Sequence, residues 1–214
     1  MYFKTVNSLE EVNLDQLAKL YQNVYGAAPW SEYKKVIDST GAIIKSWGFE
    51  DSAELETYNG VYQGMKIVDY WDFEELKKFF VAISQKKLFS GVIACSKVDE
   101  IVGFVWAFEY ALDEIDSTMG VENLSKILDN FEAPYVYCAD IGIDQNYRMQ
   151  GYAKEMFALQ NAILKEKNVG SFYTRTKGGE NPSVTHLWWE KAGIPVVYHY
   201  YDERQRVIRA KNII

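Results

Sequence analysis

The run "DQNYRMQGYAKEM", from Asp144 to Met156, carries an Arg, a Gly and an Ala in the order R-x-x-G-x-A. It lies between an alternating apolar run, "YVYCADIGI", and an amphipathic one, "GYAKEMFALQNAILKEKN", so it reads as a turn from a strand into a helix. The first turn of a helix has N–H groups with no intrahelical partner and the positive end of the helix dipole. Together these hold an anion wherever the backbone can come close to it. Gly151 and Ala153 remove the side chains that would block that approach, and Arg148 adds a positive charge. Retention of a pyrophosphate is the chemistry this spacing suits.

The remaining reactive residue types form no rival constellation. Cys95 and Cys138 sit in apolar, strand-like runs without C-x-x-C spacing, the pattern of buried reduced thiols. His186 and His199 make no metal spacing with either cysteine, so both read as structural and no metal is expected. The chain has no G-x-S-x-G, no Walker lysine and no zinc signature, which leaves hydrolase and nucleotide-triphosphatase chemistry without residues to stand on.

The elements that must position the turn follow from periodicity. "NLDQLAKLYQNVYG" places Leu14, Leu17, Leu20, Tyr21 and Val24 at helical spacing, with Asn13 as cap and Gly26 as stop. The segment from Ala27 to Gly64 has aromatic residues among polar ones and predicts short helices and loops. "DFEELKKFFVAISQKK" predicts a second helix, with Asp72 as cap, Glu75 three residues on, and an apolar face of Phe73, Leu76, Phe79, Phe80 and Ile83. From Leu88 the period changes to two β-rich runs around Asp99 and Glu100, a hairpin. "VENLSKILDNF" predicts a short helix, and Pro134 introduces the strand Tyr135 to Ile143. The helix opened by Gly151 packs through Ala153, Met156, Phe157, Gln160, Ile163 and Leu164. "SFYTRT" is a further strand. "NPSVTHLWWEKAG" has Asn181 at the cap, Pro182 at the first helical position and Gly193 after the end. "IPVVYHYY" and "RVIRAKNI" form a terminal hairpin. The fold class is α/β, with a mixed, mostly antiparallel central sheet flanked by helices and an enlarged helical and loop segment before the central strands.

At 214 residues the chain can bury a substantial core, and without repeats or linkers it reads as one domain, 1–214. With 48% hydrophobic and 25% charged residues, the composition is that of a globular protein. The net charge of -7 repels nucleic acid at long range and favours a neutral or cationic partner. No basic leader and no uninterrupted apolar stretch of membrane-spanning length is present, which predicts a cytoplasmic protein with no membrane or nucleic-acid partner.

From Leu88 to its end the chain resembles the GNAT superfamily of N-acetyltransferases. "ADIGIDQNYRMQGYAKEMF" is similar to the family's acetyl-CoA motif, V-x-P-x-x-R-G-x-G-I-G, with Ile143, Arg148, Gly151 and Ala153 in the V, R, G and G/A places. "NPSVTHLWWEKAGI" is similar to the later N-x-x-A-x-x-L-Y-E-K-x-G-F segment. The resemblance implies acetyl-CoA as cosubstrate, its pyrophosphate held by amides of Met149, Gln150, Gly151, Tyr152 and Ala153. The strand edge at Ile141, Gly142 and Ile143 would pair with the pantetheine arm as an added strand does, with Asn181 beside the cofactor. It also implies an amine as acceptor, on a small molecule or a peptide, and a homodimer as a common assembly. The tyrosine of L-Y-E-K, proposed in the family to protonate the departing thiolate, is replaced here by Trp189. An indole gives up no proton usefully, but a thiol pKa of about 8.5 makes CoA a tolerable leaving group.

The acceptor poses the harder problem. An amine of pKa about 10.4 is neutral in only about one molecule in 2,500 at pH 7, and stripping its proton costs about 4.6 kcal/mol. Some group should take that proton. Asp140 is the carboxylate on the central strand nearest the cofactor motif and ranks first as base or amine-orienting group. Tyr137 and Tyr173 are alternatives acting through a relayed water, Glu109 and Glu32 are candidates for holding a cationic acceptor, and the aromatic residues from Ala27 to Tyr62 are expected to shape its pocket. The function expected is direct acetyl transfer from acetyl-CoA to an amine in a ternary complex. The alternative is a non-catalytic acyl-CoA-binding sensor or interaction module on the same fold.

Overall fold

In the computed structural model, which describes residues 1–27, 30–58, 65–180, 182–200 and 205–213, the chain opens with a strand, β1 (Tyr2–Val6), and the first helix, α1 (Leu14–Gly26). The Asn13 side chain accepts from the amides of Asp15 and Gln16, which satisfies two of the unpaired donors at the start of α1. Leu17, Leu20, Tyr21, Val24 and Tyr25 form its buried face.

The segment expected to hold only short helices and loops contains strands instead. β2 (Lys34–Ile37), β3 (Ile43–Trp47) and, after the short helix α2 (Ser52–Thr57), β4 (Lys66–Asp69) form a small antiparallel sheet in the order β3-β2-β4. The correction has a physical reason. Each strand is only four or five residues long, and of their side chains only Val36 and Trp47 are buried, so no apolar alternation marks them.

α3 (Phe73–Ser84) follows, capped by Asp72, whose carboxylate accepts from the Glu75 amide at 2.9 Å. Leu76, Phe80 and Ile83 bury its apolar face, while Phe79 stays 38% exposed. Next come β5 (Ser90–Cys95) and β6 (Ile101–Phe108), the predicted hairpin, both buried throughout. α4 (Leu112–Met119), which the sequence reading did not anticipate, precedes the short α5 (Leu124–Leu128). The rest is β7 (Tyr135–Ile143), α6 (Tyr152–Glu166), β8 (Ser171–Lys177), α7 (Val184–Lys191), β9 (Val196–His199) and β10 (Arg206–Asn212). α7 begins later than expected. Its cap is Ser183, whose hydroxyl accepts from the His186 amide at 3.1 Å, so Pro182 precedes the helix. Asn181, expected as that cap, lies outside the described residues.

The main sheet has seven strands in the order β1-β5-β6-β7-β8-β10-β9. Only β7 and β8 run parallel; the other neighbours are antiparallel. One face is covered by α1 and α3 over Phe104, Trp106, Phe108, Tyr137 and Tyr173. The other is covered by α6 and α7 over Val105, Ala107, Val136, Cys138 and Phe172. Among the described residues no helix is long and apolar enough to cross a membrane, and no cluster of His, Cys, Asp and Glu could hold a metal ion.

Candidate functional site

β7 and β8 are partners for only three residues. Tyr135, Val136 and Tyr137 pair with Ser171, Phe172 and Tyr173, and beyond that point β7 pairs only with β6 and β8 only with β10. The two strands part in the middle of the sheet, leaving β7 from Cys138 to Ile143 with an edge that no described strand occupies. Such an edge needs hydrogen-bonding partners and is open to an extended ligand. Ile141, Gly142 and Ile143 lie on it. Gly142 has a packing reason as well, since a Cβ there would sit 2.4 Å from the Phe104 ring, so it offers only its backbone to the edge.

A β-bulge aims the carboxylate. In the register with β6, Trp106 faces Asp140 and Ala107 faces Cys138, which makes Ala139 the extra residue. Plain alternation would put Asp140 on the α6 side with Val136 and Cys138. The bulge shifts the alternation, and Asp140 turns to the α1 side, where three donors meet it. Tyr25 Oη donates to Oδ1 at 2.7 Å, Tyr21 Oη donates to the same oxygen at 3.2 Å, and Trp106 Nε1 donates to Oδ2 at 2.9 Å. A carboxylate accepts about four hydrogen bonds, so one position remains, on Oδ2. Burial pushes the Asp140 pKa up, and the three donors and the charge of Arg175 offset this only in part. The result is a more basic carboxylate than an exposed one, with an acceptor position to spare.

Asp140 lines a cavity of about 370 Å³ at the place where the strands part. Tyr21 and Tyr25 of α1, Trp30, Tyr70 and Trp71, Tyr137 and Ile141 of β7 and Arg175 of β8 line it. Glu32 also lines it and accepts from Trp71 Nε1 at 2.9 Å. Of the aromatic residues from 27 to 62, Trp30 is the described one that reaches the cavity; Trp47 is buried against Tyr58 beneath the small sheet, and Tyr62 lies outside the described residues. The walls come instead from the tyrosines of α1 and from Tyr70 and Trp71. Tyr21 and Tyr25 were legible as a helix face, but i, i+4 spacing does not reveal that their hydroxyls converge on a carboxylate 115 and more residues away.

At the far end of β7 the chain turns into α6 as the sequence predicts. A 3-10 turn, Gln145–Tyr147, leads to Met149 at φ 61° and Gly151 at φ 86°, both left-handed, and α6 starts at Tyr152. No side chain caps α6, and no described group accepts from the amides of Met149, Gln150, Gly151, Tyr152 and Ala153. A Cβ built on Gly151 would meet nothing within 4 Å. Met149 is 97% exposed, so its left-handed backbone, costing about 1 kcal/mol, serves no packing. Arg148 is exposed and donates through Nε to the Ile143 carbonyl at 3.0 Å, tying the turn to the end of β7. Gln150 and Tyr152 bond each other through their side chains. These residues fit a diphosphate: free donors, open space and a nearby cation.

Comparison with known proteins identifies the architecture. No family model matches the chain, and no curated protein matches it in sequence. Solved structures do match in shape. Aminoglycoside 6'-acetyltransferase type Ii superposes with a TM-score of 0.57 at 12% identity, covering 100% of this chain and 98% of that one. The PaiA N-acetyltransferase of Thermoplasma acidophilum, solved with coenzyme A, gives 0.54 at 16% identity over 99% of each chain. A Desulfovibrio desulfuricans protein, described as an acetyltransferase of the GNAT family, gives 0.58 at 9% identity, covering 100% and 99%. The chain has the GNAT fold.

Within the GNAT fold the other residues singled out from the sequence sit as follows. Trp189, in the place of the family tyrosine, is fully buried among Phe157, Phe172 and Trp188, away from the cavity. Tyr173 is also fully buried, its ring tilted against that of Tyr137, and does not line the cavity. Burial pushes the Tyr137 phenol pKa up, which keeps its proton on and suits it to donate rather than to accept. Glu109 pairs with Lys87 at 2.8 Å. His186 lies between Thr176 Oγ1 and the Arg209 guanidinium, a structural link whose burial, together with Arg209, holds the ring neutral. Cys95 and Cys138 are free and buried.

Proposed function

We propose that the protein is an acetyl-CoA-dependent N-acetyltransferase that passes the acetyl group directly to an amine while both substrates are bound. The observation that carries this reading is the parting of β7 from β8, which leaves β7 an unpaired edge leading from a cavity with a buried carboxylate toward an uncapped helix start. Resemblance in fold to aminoglycoside acetyltransferases and to an N-acetyltransferase solved with coenzyme A supports it. Residues 1–214 act in this reading as one acetyltransferase domain.

Each part has a role. The amides of Met149 to Ala153, with Arg148 beside them, hold the pyrophosphate, and the edge from Ile141 to Ile143 pairs with the pantetheine arm. Asn181, outside the described residues, is assigned to the cofactor by sequence resemblance alone. The cosubstrate supplies an activated thioester carbonyl. Asp140 takes the amine proton on its spare Oδ2 position, directly or through one water. Tyr137, kept protonated, donates toward the developing charge near the thioester. The aromatic walls keep bulk water out, which strengthens each of these polar contacts.

A thermal melt with excess acetyl-CoA tests the binding half. Ligand at about a hundred times its dissociation constant adds about 2.7 kcal/mol, which is several degrees for a chain of this size. Release of free thiol in the presence of amines tests the chemistry. Trp189, buried and without a proton to give, favours the second reading, a non-catalytic acyl-CoA-binding module; that reading requires the thermal shift without thiol release for any amine. The proposal fails outright if acetyl-CoA at millimolar concentration leaves the melt unchanged.

A further inference from the structure

The cavity holds charges of both signs on the two strands that part. Asp140 stands on β7 among α1 hydroxyls, with Glu32 close enough to act electrostatically on Tyr21 and Tyr25. Arg175 stands on β8. On that strand Phe172, Thr174 and Thr176 turn to the α6 and α7 side, while Tyr173 turns to the α1 side. Arg175 follows Tyr173 in the alternation and shares the face of Asp140.

Arg175 is held in place without being neutralised. Its guanidinium lies near enough to the Tyr200 hydroxyl to act on it electrostatically, and that hydroxyl donates to the Met119 carbonyl at 2.7 Å. The other groups acting on it are the phenols of Tyr137 and Tyr110. Arg175 forms no ion pair with a described carboxylate. Asp140 feels its field but does not touch it. A guanidinium fixed in a partly dry cavity and surrounded by neutral phenols favours an arriving anion, and its planar fork matches a carboxylate best. Across the opening, Asp140 favours a cation. The complement of such a separated pair is a zwitterion.

We propose that the acceptor is a free amino acid, its ammonium group seated against Asp140, its carboxylate against Arg175, and an apolar side chain among Tyr25, Trp30, Tyr70 and Trp71. The inference rests on the acetyl-transfer reading of the same cavity and names its substrate class. In the reaction one amine proton passes to Asp140, and the nitrogen lone pair forms the bond to the thioester carbonyl carbon. The carbon–sulfur bond breaks, and the second amine proton ends on the departing sulfur. The products are an N-acetyl amino acid, its carboxylate intact, and CoA.

Calorimetry with three probes tests the site apart from the chemistry. Phenylalanine carries both charges, phenethylamine lacks the carboxylate, and 3-phenylpropionate lacks the amine. Wild-type protein is expected to bind phenylalanine at least about tenfold more tightly than either of the others, as charge-assisted hydrogen bonds at both ends require. Arg175→Gln should erase the preference over phenethylamine while leaving phenethylamine affinity itself nearly unchanged, and Arg175→Lys should restore part of it. A purely structural arginine would weaken all three probes together. Equal or tighter binding of phenethylamine to the wild type, a preference that survives Arg175→Gln, or no binding of any probe overturns the inference. The wild-type comparison stands even if a variant fails to fold. Thiol release from acetyl-CoA separates the two readings. Release with phenethylamine as fast as with phenylalanine keeps the transferase and rejects the amino acid, whereas phenylalanine binding without acetyl-CoA binding does the reverse.

Discussion

At the scale of single residues, the site turns on how Asp140 is kept both buried and usable. Burial alone would drive its carboxyl toward the neutral form; Tyr25, Trp106 and Tyr21 counter this by donating to the ionised form. Net, its pKa lies above the ordinary carboxylate range. A base works only when unprotonated, so kcat/KM should fall as pH drops through that raised pKa, with an acid limb above the range of an exposed aspartate. Asp140→Asn should lower kcat by about a hundredfold or more and remove the limb, as a pH–rate profile would show. Tyr25→Phe makes a subtler case. It removes the 2.7 Å donor, one of the contacts that lower the Asp140 pKa, so the acid limb should move to higher pH while activity at high pH is largely kept. The loss of stability should be about 1 kcal/mol, readable in a denaturant titration. A limb that stays put in Tyr25→Phe would mean that Asp140 is not the group being titrated.

At the scale of elements, the turn from strand β7 into helix α6 carries the proposed anion site. Gly151→Glu puts a carboxylate where the phosphates belong and forces a side chain onto φ 86°, a strain of about 1 kcal/mol. Nothing lies within 4 Å of its Cβ, so the variant should fold, melt slightly lower and show no thermal shift with acetyl-CoA. Gly151→Ala, with the strain but not the charge, should keep most of the shift. This turn was legible in the sequence because strand, glycine and amphipathic helix each have their own pattern and agree. The same holds for α1, α3, the β5–β6 hairpin and the last two strands, where apolar period and cap residues coincide. Legibility failed where no period exists. β2 and β4 read "KKVI" and "KIVD", with Val36 as their one buried side chain. β1, "YFKTV", is an edge strand with Val6 as its one buried residue. The cap of α7 went to Ser183 rather than Asn181 because both types cap well and only the backbone path selects between them. The cavity was less legible than the turn, since Tyr25, Trp106, Asp140 and Arg175 are far apart in sequence and Asp140 reaches its partners only through a bulge that alternation does not show.

At the scale of the whole molecule, the parted sheet favours the proposed direct transfer over a route through an acetylated enzyme. In the proposed function the edge assigned to pantetheine and the cavity assigned to the amine both lie on β7 and meet at Ile141, so a thioester on the edge and an amine beside Asp140 would be neighbours. Bringing them together converts a bimolecular step into an effectively unimolecular one. The competing route needs a nucleophile to carry the acetyl group, and the cavity offers one thiol, Cys138. Burial, reinforced by the charge of Asp140, pushes its pKa up to about 12. Near neutral pH that leaves about one molecule in 100,000 as thiolate, the form that attacks. Cys138 also points to the α6 side, against Gln160, away from the Oδ2 position where an amine would bind. Initial-velocity patterns should therefore intersect when acetyl-CoA and amine are varied together, and acetyl-CoA alone should leave no 42 Da addition on the intact protein, a mass set by one acetyl group replacing about one proton in covalent catalysis. Cys138→Ala should keep kcat within about threefold, with only the stability loss of a small buried side chain. Parallel lines, or an acetylated Cys138 that turns over on adding amine, would show that the parted strands serve two sequential half-reactions rather than one shared encounter.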